Sequence, residues 1–109
     1  GRWMSIFKKK LTVNEAINKA HTSQNALLID CRIKEEYSHG HVAGAINIPL
    51  EKMTADRVLR RIPDKEKELY IIGSYSYKPQ NAVRTLKKMG YKRAVFGGYM
   101  EEHYGVLKK

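Results

Sequence analysis

LIDCR at residues 28–32 and GHVAGAINIP at residues 40–49 decide how this chain folds. The first stretch ends a short apolar run, and a continuous run of this length predicts a strand buried on both faces over residues 26–30. The second contains another predicted strand, residues 45–48, which Pro49 stops because proline cannot donate to a sheet. Two buried strands this close together indicate an α/β sheet.

The polar and glycine residues of these stretches have predictable roles. Asp30 ends a buried strand, so its carboxylate needs donors or a cation, and Arg32 is the obvious partner. Gly40 and Gly44 bracket a predicted tight turn, where a positive φ is cheap only for glycine.

Elsewhere, helical and strand patterns alternate along the chain. Thr12 and Glu15 fit a capping box at the start of a helix that runs to about His21. Pro79 fits the first turn of a later helix that Gly90 ends. The other predicted elements are a helix over residues 53–62, strands over residues 69–72 and 94–96, and a turn at Gly97-Gly98 into a short helix over residues 100–104. This alternation predicts a parallel sheet with helices on both faces.

The 109 residues suit one domain. We assign it to residues 11–109, after an N-terminal segment of residues 1–10. Met4 is a candidate natural start, which would make Gly1-Arg2-Trp3 a cloning remnant. Residues 3–7 and the lysines after them could lie on an anionic membrane, but the stretch is short and we expect a frayed terminus.

The chain is strongly basic, with 21 Lys and Arg against 11 Asp and Glu and a net charge of +10. Such a charge favours nucleic acid, an anionic membrane or an acidic partner. The cations are spread along the chain, without an RNA-binding aromatic motif or zinc-finger spacing. We therefore interpret them as solvated helix faces and expect neither a nucleic-acid nor a membrane partner.

Cys31 is the single cysteine. It cannot form an internal disulfide, which fits a reducing cytoplasm. The four histidines show no metal-ligand spacing beyond His39-x-His41, so we expect no metal. We expect no cofactor either.

LIDCR, then EEY at residues 35–37, then GHVAGAINIP resemble the first motif of the rhodanese homology domain. The second half is also similar to this family, with a helix ending LKKMGY at residues 86–91 and Gly97-Gly98 after a strand. The resemblance runs from Leu11 onward. It implies a three-layer α/β fold whose central, mostly parallel sheet has four to five strands with helices on both faces.

Enzymes of this family carry sulfur as a cysteine persulfide, which the resemblance places in the loop after the third strand. Counting back from Gly90 along the family's spacing puts the nucleophile at position 73, which is Gly73. Ser74 and Ser76 have no adjacent base, Tyr75 and Tyr77 cannot hold a persulfide, and Lys78 falls where the family often has an arginine. The resemblance gives His41 a structural role.

Three hypotheses of function follow. The first is a catalytically silent domain that binds an anion, or a sulfur-carrier or other protein partner, through the 73–78 loop and Lys78. The second is a working sulfurtransferase of the thiosulfate type, which uses Cys31 or has lost a parental cysteine at position 73. The third is a basic adaptor for nucleic acid or membrane. The missing nucleophile leads us to favour the first over an enzyme.

Overall fold

The computed structural model of the chain describes residues 11–109. Four strands form a parallel sheet in the order β2-β1-β3-β4. They are β1 (Ala26–Asp30), β2 (Ile46–Asn47), β3 (Glu68–Gly73) and β4 (Ala94–Tyr99). The predicted α/β class with a parallel sheet is confirmed. The N-terminal segment, including the stretch considered for a membrane surface, lies outside the described residues.

Four α-helices connect or flank these strands. They are α1 (Val13–Thr22), α2 (Lys34–His39), α3 (Ala55–Arg61) and α4 (Lys78–Lys88), and 3₁₀ turns occupy Leu50–Lys52 and Met100–Glu102. The capping box at Thr12 and Glu15 is present at the start of α1. Sequence reasoning missed α2, because this six-residue helix buries no side chain and so has no apolar stripe to reveal it.

Two predicted elements differ in extent. The helix predicted over residues 53–62 begins only at Ala55, where Thr54 caps it by accepting a hydrogen bond from the Arg57 amide. The strand predicted over residues 45–48 has two residues, because the Ala45 amide is bonded to the Val42 carbonyl in the preceding turn.

The expected turn at Gly97-Gly98 is wrong, because both residues continue β4 through a β-bulge. Phe96 pairs with Ile71 and Gly98 with Ile72, which leaves Gly97 as the extra residue. Gly98 has φ +123°, and a Cβ there would lie 2.7 Å from the Cβ of Val13. The glycine therefore lets the start of α1 pack directly on the strand.

Apolar side chains cover both faces of the sheet, as predicted. Successive strand residues point to opposite faces, so one face takes Ile29 and Ile71 and the other takes Leu28, Tyr70 and Ile72. The first face packs on α3 and α4 through Val58, Ala82 and Leu86. The second packs on α1 through Val13, Ala16, Ile17 and Ala20. Because the four strands are parallel, the segments that follow them all begin at the same edge of the sheet.

A buried ion pair lies at the carboxyl end of β1. The Asp30 carboxylate is fully buried and accepts from Nε and Nη2 of Arg32 at 2.8–3.1 Å. The Nη2 atom also donates to the Gly40 carbonyl at 2.8 Å, and the Asn47 side-chain amide donates to the carbonyls of Asp30 and Arg32. The pair therefore ties β1 to the whole segment that leads into β2.

Gly40 and Gly44, both in that segment, differ in backbone conformation. Gly44 has φ +83°, as a tight turn requires. Gly40 has φ 166°, which is extended backbone, so its predicted positive φ is wrong. Its lack of a side chain matters instead for space, because a Cβ there would lie 3.2 Å from Leu107 Cδ1.

We expect Arg32→Met to lower the free energy of unfolding by about 3 kcal/mol, because it leaves a buried carboxylate unpaired. Urea denaturation measures this loss. Arg93→Met is the matched control, since Arg93 pairs with Glu68 on the surface and such pairs contribute about 0–1 kcal/mol. Equal, small losses in the two variants would contradict the structural role of the buried pair.

Candidate functional site

The candidate site lies where the strands end at their carboxyl edge. Gly73 is the last residue of β3, and Cys31 directly follows β1 next to it. Residues 74–77 form the loop that leads into α4, which begins at Lys78 with Pro79 in its first turn. In open parallel sheets, ligands bind at this edge. The sequence therefore placed the loop correctly in the fold.

Carboxylates from the 3₁₀ turn after β4 contact the loop. The Tyr75 amide donates to Glu101 Oε1 at 3.0 Å, and its hydroxyl donates to Glu102 Oε2 at 3.0 Å. The hydrogen bond to Glu102 raises the pKa of Tyr75. An internal carboxylate thus already uses one of the amides that an incoming anion would need.

Two further carboxylates reach the loop from other connections. Glu36, on α2, lies 3.4 Å from the Ser74 hydroxyl. Glu51 forms an ion pair with Lys78, and this contact raises the pKa of Lys78 and lowers that of Glu51. The cation expected to attract an anion is therefore partly neutralised by its neighbour.

The loop hydroxyls have no histidine as a base. Ser76 Oγ accepts from the Lys78 amide at 3.1 Å and donates to the Ser74 carbonyl at 3.4 Å. Within residues 11–109, no histidine is hydrogen-bonded to the loop; the rings of His21, His39 and His41 contact backbone carbonyls elsewhere. The Ser74 hydroxyl has a long contact to the exposed Glu36 carboxylate, and no histidine–hydroxyl pair of the kind that activates a serine nucleophile is present among these residues.

Part of the loop backbone is still available for binding. The amides of Ser74, Ser76 and Tyr77 donate to no other group in the described part of the chain. The side chains of Tyr75 and Tyr77 are 56% and 66% exposed, so neither fills the loop. The loop is therefore an open surface with aromatic side chains, free amides and several carboxylates.

Cys31 lies beside the loop but under the protein surface. Its side chain is 1% exposed and packs with Ile29, Ile48 and Met53. Burial, and then the nearby charge of Asp30, raises its thiol pKa to about 12. At neutral pH it is a protonated thiol, and the nucleophile in cysteine chemistry is the thiolate.

His41 is part of the structural support next to the site. Its ring stacks on Tyr37 with centroids 3.8 Å apart, and its Nδ1 lies 2.9 Å from the Tyr37 carbonyl. Its backbone amide and carbonyl are both bonded to Lys108. His39 contacts Glu35, on its own helix, so His39 and His41 do not converge on one point.

Two features of the described residues bear on the metal and membrane alternatives. No three His, Cys, Asp or Glu side chains between residues 11 and 109 come together as a metal site would require. No helix in the same range is long and apolar enough to span a bilayer.

The four loop carboxylates were not singled out from the sequence. Glu101 and Glu102 follow β4, and Glu51 follows β2, so the rule that parallel strands end at one edge could have suggested them. Glu36 lies on the unpredicted helix α2 and had no such signal.

Comparison with known proteins agrees with this architecture. A family model described as the rhodanese-like domain matches residues 12–101. The thiosulfate sulfurtransferase PspE of Escherichia coli is 32% identical over 74 residues, which cover 68% of this chain and 70% of that protein. The putative sulfur carrier protein YrkF of Bacillus subtilis is 28% identical over 92 residues, 84% of this chain but only 43% of that protein.

A solved structure shows the same fold. It is described as a rhodanese with anions from E. coli and is 30% identical, with a TM-score of 0.68 over 77% of this chain and 98% of that one. The family model covers more than half of the sequence, and its fold is the one built above. The chain belongs to the rhodanese-like domain family.

Proposed function

We propose that this chain is a non-catalytic rhodanese-like domain that recognises a protein partner through its 74–78 loop. The observation that carries this proposal is the packing at position 73. A Cβ built on Gly73 would lie 2.8 Å from Cys31 Sγ and 2.8 Å from Pro79 Cγ. Real Cβ atoms essentially never come this close to another heavy atom. Any side chain at the family's nucleophile position therefore requires its surroundings to move.

This packing also bears on the origin of the glycine. If a cysteine had simply been replaced, the space of its Cβ and sulfur would remain next to Gly73. Instead the sulfur of Cys31, directly after β1, and the ring of Pro79, in α4, lie within 2.8 Å of the position that a Cβ would take. The close packing supports Gly73 as a residue that fits its environment.

Cys31 is the specific alternative, because its sulfur lies where the family's catalytic side chain would begin. A sulfurtransferase using Cys31 would need that sulfur to reach solvent and ionise. Its 1% exposure and its pKa of about 12 both oppose this. We therefore favour the silent domain.

The exposed loop residues support a protein partner over a small anion. Tyr75 and Tyr77 present large side chains to solvent, and tyrosine is frequent among the residues that dominate binding energy at interfaces. A small anion would instead meet Glu101 on the Tyr75 amide and Glu51 on Lys78. The free amides of Ser74, Ser76 and Tyr77 would then bond to polar groups of the partner.

A sulfur-carrier protein is the partner class to test first. One relative is itself named as a putative sulfur carrier and another as a thiosulfate sulfurtransferase. Because the chain spans under half of that carrier relative, its partner remains a proposal. A cytoplasmic location, predicted from the single thiol, likewise stays a prediction.

We expect Gly73→Ala to lower the free energy of unfolding by about 1–3 kcal/mol, as overpacking of a filled core does. The same substitution in a Cys31→Ala background should cost less, because the methyl group then meets one obstacle, Pro79, instead of two. Urea denaturation of the two single variants and the double variant measures the coupling. Additive effects would contradict the proposed contact.

The wild-type chain should release no thiocyanate from thiosulfate and cyanide above the rate of a protein-free blank. A matched Cys31→Ser variant should give the same result, since the thiol takes no part. The thiosulfate sulfurtransferase PspE is the positive control. Turnover that disappears in Cys31→Ser would establish the alternative mechanism.

Titration of the ¹⁵N-labelled chain with a purified sulfur-carrier protein should shift the amide signals of residues 74–78. Tyr75→Ala/Tyr77→Ala should weaken binding by about tenfold or more, the scale of losing an aromatic interface anchor. Tyr104→Ala is the control, because Tyr104 is also exposed and its hydrogen bonds to Asn14 use its backbone atoms. Shifts confined to other surfaces would argue against the loop.

A further inference from the structure

A second surface lies between helix α3 and the segment that follows the edge strand β2, and we call it the α3 groove. It has a volume of about 380 Å³ and is lined by four exposed cations above two apolar residues. The cations are Lys52, Arg57, Arg60 and Arg61, and the apolar residues are Ile48 and Pro49. The three arginines are already neighbours in the sequence, and the fold brings Lys52 to them.

Helical geometry explains the clustering. Arg57, Arg60 and Arg61 stand at spacings of three and four residues, which places them on one face of α3, while Val58 points into the core. Like charges at these spacings destabilise a helix by about 0.2–0.5 kcal/mol per pair. The favourable interaction of Arg60 and Arg61 with the helix C-terminus offsets part of this cost.

These charges have little internal compensation. Between residues 11 and 109, the ion pairs formed are Asp30–Arg32, Glu51–Lys78 and Glu68–Arg93, and none includes a groove cation. Arg61 donates to the Asn47 carbonyl at 3.3 Å, which orients it but leaves its charge unpaired. The groove is thus a preformed cluster of guanidinium groups that face solvent.

We propose that the α3 groove binds a short acidic segment of a partner protein. Guanidinium groups bind carboxylates through paired, charge-assisted hydrogen bonds, and three of them lie within two helical turns. The apolar lining by Ile48 and Pro49 suits an aliphatic side chain between the acidic residues.

The lining favours protein over nucleic acid. No aromatic residue lines the groove, so it has no platform on which a base could stack. Its cations are confined to Lys52 and one short helix, whereas single strands are bound along extended basic tracks.

The groove is distinct from the loop. Pro49 and Lys52 also line a neighbouring depression with Glu35 and Glu51, and neither depression is lined by residues 74–78. Binding in the groove does not depend on the loop, so loop variants and groove variants test the two proposals separately.

Fluorescence anisotropy with a labelled peptide of alternating glutamate and leucine tests the inference on the intact chain. Wild type should bind it, and Arg57→Gln/Arg60→Gln should weaken binding by about tenfold or more, the effect of losing charge-assisted hydrogen bonds. Lys87→Gln/Lys88→Gln removes the same charge from the exposed last turn of α4 and should have little effect. Tyr75→Ala/Tyr77→Ala should also bind the peptide like wild type.

Equal weakening in the two charge variants would overturn the proposal, since net charge alone would then explain binding. No binding by wild type at low salt, or stronger binding of a single-stranded DNA oligonucleotide, would overturn it as well. ¹⁵N chemical-shift changes in the wild-type chain provide a readout independent of variant folding. They should map to residues 48–61, and shifts elsewhere would contradict the groove.

Discussion

The carboxylate of Asp30 is fully buried at the end of β1, and the rest of the site depends on the groups that neutralise its charge. Arg32 supplies the cation and in the same geometry bonds the Gly40 carbonyl, while Asn47 bonds the carbonyls on either side of Cys31. Burial lowers the pKa of Arg32, but the hydrogen bond to Asp30 and the negative charges of Asp30, Glu36 and Glu101 together outweigh it and raise that pKa. This arrangement fixes the chain where it leaves β1 and so determines where Cys31 points.

With Cys31 held inward, its sulfur packs against Gly73 at the end of the neighbouring strand. The edge that carries a persulfide in active members of the family is here a packed contact between a thiol, a glycine and a proline. Around it, four carboxylates face the loop, two of which follow the same strand. The family's architecture is retained, and position 73 carries a glycine that packs against Cys31 and Pro79.

Much of this fold could be predicted from the sequence, because strong local patterns and family motifs coincide. The capping box, the apolar strand runs and the proline and glycine at the ends of α4 are each determined within a few residues. The bulge at Gly97-Gly98 was missed because its cause, the close approach of Val13, comes from a distant part of the chain. The short helix α2 was missed because it has no fully buried side chain, and Tyr37 packing against the core does not make an apolar stripe.

The site was predictable to a lesser degree. Position 73 followed from the resemblance, but the contact between Gly73 and Cys31 joins residues from two strands and has no sequence pattern. The loop carboxylates and the α3 groove likewise result from tertiary placement, since each brings together side chains that follow or flank different strands. Sequence reasoning therefore located the loop in the fold and missed most of the charged groups around it.

The central claim is that no sulfur atom in this chain can accept sulfur from a donor. Intact-protein mass spectrometry after incubation with thiosulfate, without reductant, tests it most directly. The account predicts an unchanged mass for the native chain, with PspE as the matched positive control. A mass increase of one sulfur atom that is located on Cys31 and absent from Cys31→Ser would contradict it.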